Sequence, residues 1–204
     1  MSAPGMTTAL RSETFENLQL NAGIVLANFT YSGISDATAL ASAIAGKLAQ
    51  PDDTLLGATR GGGNFVVTRQ MREPEIDGRR YSFKGGRFVD SADARLTTTL
   101  LEITPGNIVR ALGSGESETT GKKTTIKLHT AIEDEDYLDN IVWVGDLADG
   151  RMVAIVLYNA LQTGDFSFTY TDKGEGTLAV EFHAHQENVE DYDKAPFEII
   201  FFEE

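Results

Sequence analysis

Beyond residue 121 the chain reads as strand after strand, and that succession limits its folding options more than any other feature. Segments rich in Val, Ile, Thr, Phe and Tyr fall near 124–132, 140–147, 152–160, 165–171, 177–185 and 197–202, with turn signals at Asp149-Gly150 and Lys173-Gly174. Short strands joined by regular turns must close over one another to bury an apolar face. The expected fold is therefore mainly β, a sandwich or barrel, with helices on its flank or plugging an end.

The first half adds two helices. Asp36 or Ser35 caps a segment in which Ala37, Leu40, Ala41, Ile44 and Leu48 recur at helical spacing, ending at Gln50-Pro51. Thr104-Pro105 is an N-cap followed by proline at the first helical position, and Gly113 closes the short helix expected over 105–112. Strands are expected at 18–29, 65–72 and 95–103. The glycines of 113–121 predict a flexible loop, and the polar segment 73–94 a long connection with a short strand at 81–84. A connection of that length carries a function more often than it merely joins two strands. Residues 1–12 are small and polar and are expected to form a flexible arm, leaving 13–204 as one domain.

The net charge is −14, but it is unevenly placed. Residues 1–132 hold 14 Lys and Arg against 13 Asp and Glu, whereas 133–204 hold 3 against 18. Between Arg60 and Arg95 there are 8 basic and 5 acidic residues. Such polarity lets the basic segment of one copy meet the acidic surface of another, with Arg72, Arg79, Arg80, Lys84 and Arg87 as the candidate contact residues between subunits. The alternative reading is an acidic coat that serves solubility. Either way, sequence-specific DNA binding, which needs a basic face, is disfavoured.

Chemistry finds little to stand on. There is no cysteine, so disulfides and thiolate metal sites are excluded. No basic-then-apolar leader opens the sequence, and no apolar run approaches the ~20 residues of a membrane span, so neither classical export nor membrane insertion is expected. The stretch Gly57 to Gly63 lacks the Gly-Lys-Ser/Thr ending of a phosphate loop and runs into a strand; it reads as a turn or a close backbone approach. His183 and His185 sit two apart on a strand with Glu181, a weak zinc pattern set against an ordinary polar face. Glu133 to Asp136 matches a calcium loop in charge but not in spacing. No Gly-x-Ser-x-Gly elbow occurs, and nothing singles out a carboxylate pair. No catalytic, cofactor or metal residue is therefore nominated.

Several stretches together carry a resemblance. They are Leu18-Gln19-Leu20-Asn21-Ala22-Gly23, Leu56-Gly57-Ala58-Thr59-Arg60-Gly61-Gly62, Arg72-Glu73-Pro74-Glu75-Ile76-Asp77-Gly78-Arg79-Arg80 leading to Lys84-Gly85, Thr99-Leu100-Leu101-Glu102-Ile103-Thr104-Pro105, Asp136-Tyr137-Leu138-Asp139-Asn140-Ile141 and Phe182-His183-Ala184-His185. In order and spacing they resemble the major tail tube proteins of long-tailed bacteriophages. That resemblance implies a β-sandwich or barrel with a flanking helix, packed as hexameric rings that stack head to tail into a hollow tube. A long loop and the termini would link successive rings. Tape-measure, tail-tip and tail-terminator proteins would be partners, and DNA would pass non-specifically through the lumen during ejection. The location implied is the virion tail, with the host cytoplasm during assembly. The tube protein of type VI secretion shares the architecture and is the alternative within this class. A carbohydrate-binding or hydrolytic β-sandwich is the alternative from another class; against it, Phe65, Tyr81, Phe88, Trp143, Phe166, Phe168 and Tyr170 mostly fall at strand core positions.

Overall fold

The computed structural model describes residues 11–50 and 52–203. The expected arm over 1–12 thus lies outside the described residues up to position 10, and 12–14 form a 3-10 turn. The fold is mainly β. Its strands are β1 (Ile24–Ala27), β2 (Thr59–Arg72), β3 (Phe88–Leu100), β4 (Gly115–Thr120), β5 (Lys123–Leu128), β6 (Leu138–Asp146), β7 (Met152–Gln162), β8 (Ser167–Thr169), β9 (Thr177–His183) and β10 (Phe197–Phe202). Two α-helices, α1 (Ala37–Ala49) and α2 (Pro105–Leu112), accompany them among the described residues.

Eight strands form one antiparallel sheet in the order β1-β6-β7-β9-β3-β2, with β10 also on β7 and β8 on β9. The sheet turns through β7. From Met152 to Leu157 that strand pairs with β6 and β10, and at Leu161 and Gln162 it passes to β9. The two wings close over Leu96, Leu100, Leu178, Val180 and Phe182 from one side and Val25, Ile141, Leu157 and Ala160 from the other, which makes the central core. A second core forms where Leu40 and Ile44 of α1 meet Val142, Val144, Ala154, Val156 and Phe202 on the opposite face of the β6–β7 wing.

Each helix is set by its caps. Asp36 accepts a bond from the Ala39 amide at 2.8 Å, and Thr104 Oγ1 accepts one from Asn107 at 3.1 Å. Gly113 takes φ 75°, and a Cβ there would lie 2.5 Å from the Gln162 carbonyl, so only glycine fits. Asn107 is buried, and its Nδ2 donates to the carbonyls of Leu56 and Glu102, each at 2.9 Å, pinning α2 to the sandwich.

Three expectations need correction. Residues 115–120 are not loop but strand, paired with β5 from Gly115↔Leu128 to Thr120↔Lys123 as a separate two-stranded sheet. Residues 88–94 belong to β3, so the long connection spans 73–87, and no strand occurs at 81–84. Leu18 and Leu20 lie outside any strand; only an isolated bridge, Gln19↔Leu147, occurs there.

Candidate assembly surface

The chain's most unusual element follows from pairing lengths. β3 pairs with β9 from Arg95 to Leu100, and the Ala184 amide donates to the Ala94 carbonyl at 2.9 Å, yet β3 continues outward from Asp93 to Phe88 with β2 as its sole strand neighbour among the described residues. Residues 67–72 and 88–92 are accordingly exposed. They form a two-stranded ribbon of about 20 Å at ~3.3 Å per residue. On one face, Val67, Arg69 and Met71 stand opposite Ala94, Ala92 and Val89, continuing the line of Phe65 and Leu96 out of the core. Val67 is 38% exposed, Met71 55% and Val89 54%. The other face carries Thr68, Gln70, Ser91 and Asp93. A register shift between Gln70 and Met71 leaves Asp90 as an extra residue, which takes Arg72 Nε at 2.7 Å, and the same guanidinium lies 5.7 Å over the Phe88 ring. A two-stranded ribbon with a wet apolar face is marginal alone and gains stability when another layer covers it.

The loop at the ribbon's end, 73–87, is braced from within. Glu73 accepts Arg79 Nη1 at 2.7 Å and Ser82 Oγ at 2.9 Å, and Arg87 Nε lies at 3.8 Å. Backbone turns close at Ile76–Arg79 and Phe83–Gly86. The Arg79 guanidinium also lies 5.8 Å from the Phe83 ring centroid. The five nominated cations therefore divide. Arg72, Arg79 and Arg87 meet carboxylates of their own chain, whereas Arg80 and Lys84 are exposed and form no ion pair among the described residues. Spacing alone puts all five in one class, because the partners that divide them, Asp90 for Arg72 and Glu73 for Arg79 and Arg87, meet them only in the folded ribbon and loop.

Among the described residues several strands are paired on one side alone: β2 only with β3, β10 only with β7, β8 only with β9, and β4 and β5 only with each other. The edge of β1 differs, being covered by the segment at Thr54 to Leu56 through bonds from Ala27 N to Thr54 O and from Leu56 N to Val25 O. An open edge carries a row of unpaired donors and acceptors available to another chain. Aromatic placement also departs from expectation. Phe65 and Trp143 do contact the core, but Tyr81, Phe88, Phe166, Phe168 and Tyr170 are exposed.

Sites of small-molecule chemistry do not assemble from the residues first considered. The Gly57–Gly63 stretch runs into β2: Gly61 and Gly62 take positive φ at a register shift, and a Cβ on Gly63 would come 2.7 Å from the Thr97 carbonyl, a close backbone approach. His183 and His185 diverge. The first has Nδ1 2.7 Å from Asp93 and Nε2 2.9 Å from Glu181; the second places Nδ1 3.0 Å from the Asn159 carbonyl and its ring edge-on to Tyr137. Among the described residues no group of three or more His, Cys, Asp or Glu is placed to hold a metal. Asp136, in the acidic loop, instead faces His129 Nε2 at 3.1 Å, while His129 Nδ1 donates to the Ala131 carbonyl at 2.6 Å. That carbonyl, followed by the charges of Asp136 and Glu133, raises the His129 pKa above its ordinary value. Between the wings a cleft of about 340 Å³ is lined by Gln19, Asn21, Asn64, Phe65, Thr98 and Trp143 among others, with no ionisable side chain in its wall. No described helix is long and apolar enough to cross a membrane.

Compared with protein-family models the chain matches none, and compared with curated proteins it again matches none.

Proposed function

We infer that this chain is the structural subunit of a bacteriophage tail tube, assembling with copies of itself into stacked hexameric rings that form the conduit for DNA ejection. The observation that carries the self-assembly reading is the β2–β3 ribbon, which holds Val67, Met71 and Val89 in water and ends in a braced basic loop. The open edges of β2 and β10 add unpaired backbone that ring closure would satisfy. The tube itself rests on the resemblance of the stretches at 18–23, 56–62, 72–80, 99–105, 136–141 and 182–185, and on net acidity, since an acidic lumen repels phosphate and keeps DNA from sticking. Such a subunit works without catalysis or cofactor. Its partners are sister copies and the tape-measure, tail-tip and tail-terminator proteins, and its place is the virion tail after assembly in the host cytoplasm.

Negative-stain micrographs of the concentrated protein at low salt test this reading. Rings of six, singly or stacked into hollow tubes, are expected; monomers alone, even with tail-tip and tape-measure proteins present, refute it. Neighbouring genes separate a phage tube from a type VI secretion tube.

One observation favours a second reading, a carbohydrate-binding sandwich. Phe166, Phe168 and Tyr170 stand exposed at alternate positions on β8 and the residues that flank it, with the Phe168 and Tyr170 ring centroids 6.2 Å apart. A row of flat rings suits a sugar face, and saturable binding of soluble oligosaccharides by calorimetry would favour it over the tube.

A further inference from the structure

We propose that the loop tip Arg80–Lys84 of one copy seats in an acidic cleft between Tyr137 and Glu187 of another copy. The proposal rests on the self-assembly reading above, but not on the rings being those of a tail tube. The loop is a shaped ligand. Glu73 holds Arg79 and Ser82, and Gly86 is packed so closely under the Phe83 ring that a Cβ would lie 3.1 Å from it. What this bracing leaves outside is Arg80, Tyr81 and Lys84, with Tyr81 86% exposed. A rigid tip loses little conformational entropy on docking, and aromatic and arginine side chains are the commonest anchors of protein contacts.

The receptor is a cleft of about 600 Å³ lined by Asp134, Tyr137, Asn159, His185, Glu187 and Val189. Its floor is built. The His185 amide donates to the Tyr158 carbonyl at 3.0 Å, the Asn159 amide group donates to the His185 carbonyl at 3.2 Å, and the His185 ring stands edge-on to Tyr137. Asp134 and Glu187 form no ion pair among the described residues, and Val189 beside them is 93% exposed. The cleft thus offers aromatic and apolar surface under the carboxylates of Asp134 and Glu187, the latter also within reach of the Lys194 charge, and the loop offers a ring between two cations that form no ion pair among the described residues. Among the described residues no hydrogen bond or ion pair joins loop and cleft within one copy. Because the two patches are different parts of one molecule, their contact is heterologous, and it propagates into a ring or an open stack instead of stopping at a dimer. Charges of opposite sign at such a contact also select orientation and partner.

The test is a charge swap in the full chain, read by sedimentation velocity at low salt, with circular dichroism confirming that these exposed changes leave folding intact. R80E/K84E presents an acidic loop to an acidic cleft, and D134K/E187K a basic loop to a basic cleft. Each alone is expected to associate at least about tenfold more weakly than wild type. Mixed in equal amounts, the two are expected to recover association, since each loop then finds an opposite cleft. Wild-type association in either single variant, or failure of the mixture to recover, overturns the contact while leaving self-assembly standing. A wild-type chain that stays monomeric removes the self-assembly reading and this contact with it. A duplex DNA oligonucleotide is titrated in parallel. Wild-type DNA binding that vanishes in R80E/K84E while association persists would assign the tip to phosphate and refute the proposal.

Discussion

Replacing Val67→Thr, Met71→Gln and Val89→Thr together isolates what the ribbon does. These side chains are 38%, 55% and 54% exposed, so roughly half of each is still in contact with water. Full burial of such a side chain is worth about 1.5–3 kcal/mol, so covering the remaining half by a neighbour contributes about 1 kcal/mol each. Together they amount to about 3 kcal/mol per contact, or an association about 100-fold weaker once the apolar groups are gone. In the isolated chain the same changes fall at wet positions, where substitutions stay within about 0.5 kcal/mol each. The assay pairs a sedimentation dilution series with urea unfolding of the dilute protein. A large loss of association with an unchanged unfolding midpoint is expected. Association within threefold of wild type would refute the claim that this face is covered by a sister molecule.

Other consequences are local. Asn107→Ala leaves the Leu56 and Glu102 carbonyls without their 2.9 Å donors in a buried site, and it is expected to cost about 2–4 kcal/mol, read as a lower urea midpoint. Arg79→Ala deletes the 2.7 Å contact to Glu73 and is expected to speed tryptic cleavage within 73–87 while leaving the thermal midpoint unchanged; an unaltered cleavage rate would show that the brace does not order the loop. His129 has a raised folded pKa, so its stabilising contribution is complete below its unfolded value of 6.5 and is lost as pH rises through the higher folded value. Stability is therefore expected to fall as pH rises from 6.5 through the raised folded value, and His129→Gln should flatten that slope; an equal slope in the variant would assign it elsewhere.

Where local chemistry decides structure, the sequence was readable. Thr104-Pro105 and Gly113 mark α2 at both ends because a capping hydroxyl, a fixed φ and a left-handed closing residue each act within one turn. Phe197 to Phe202 was equally clear, as an apolar run between polar flanks. What stayed hidden depends on distant partners or on the absence of them. Gly115 to Thr120 and Phe88 to Ala92 are strands with both faces wet, so neither shows the alternation that burial of one face imposes. The same limit misplaced Tyr81, Phe88, Phe166, Phe168 and Tyr170. Period-two spacing shows that residues share a face, but the sheet order decides whether anything covers it. Charge counting found the basic segment and missed that Glu73 satisfies Arg79 internally, since a loop's self-contacts are not encoded by spacing.

Hydrogen exchange of the backbone amides at low and high protein concentration tests the central claim most directly. In dilute solution the ribbon residues 67–72 and 88–92 are expected to exchange quickly while β7 and β9 stay protected. In concentrated, associated protein the ribbon amides are expected to become protected. Assemblies that form with the ribbon exchanging as freely as in the monomer would contradict the account.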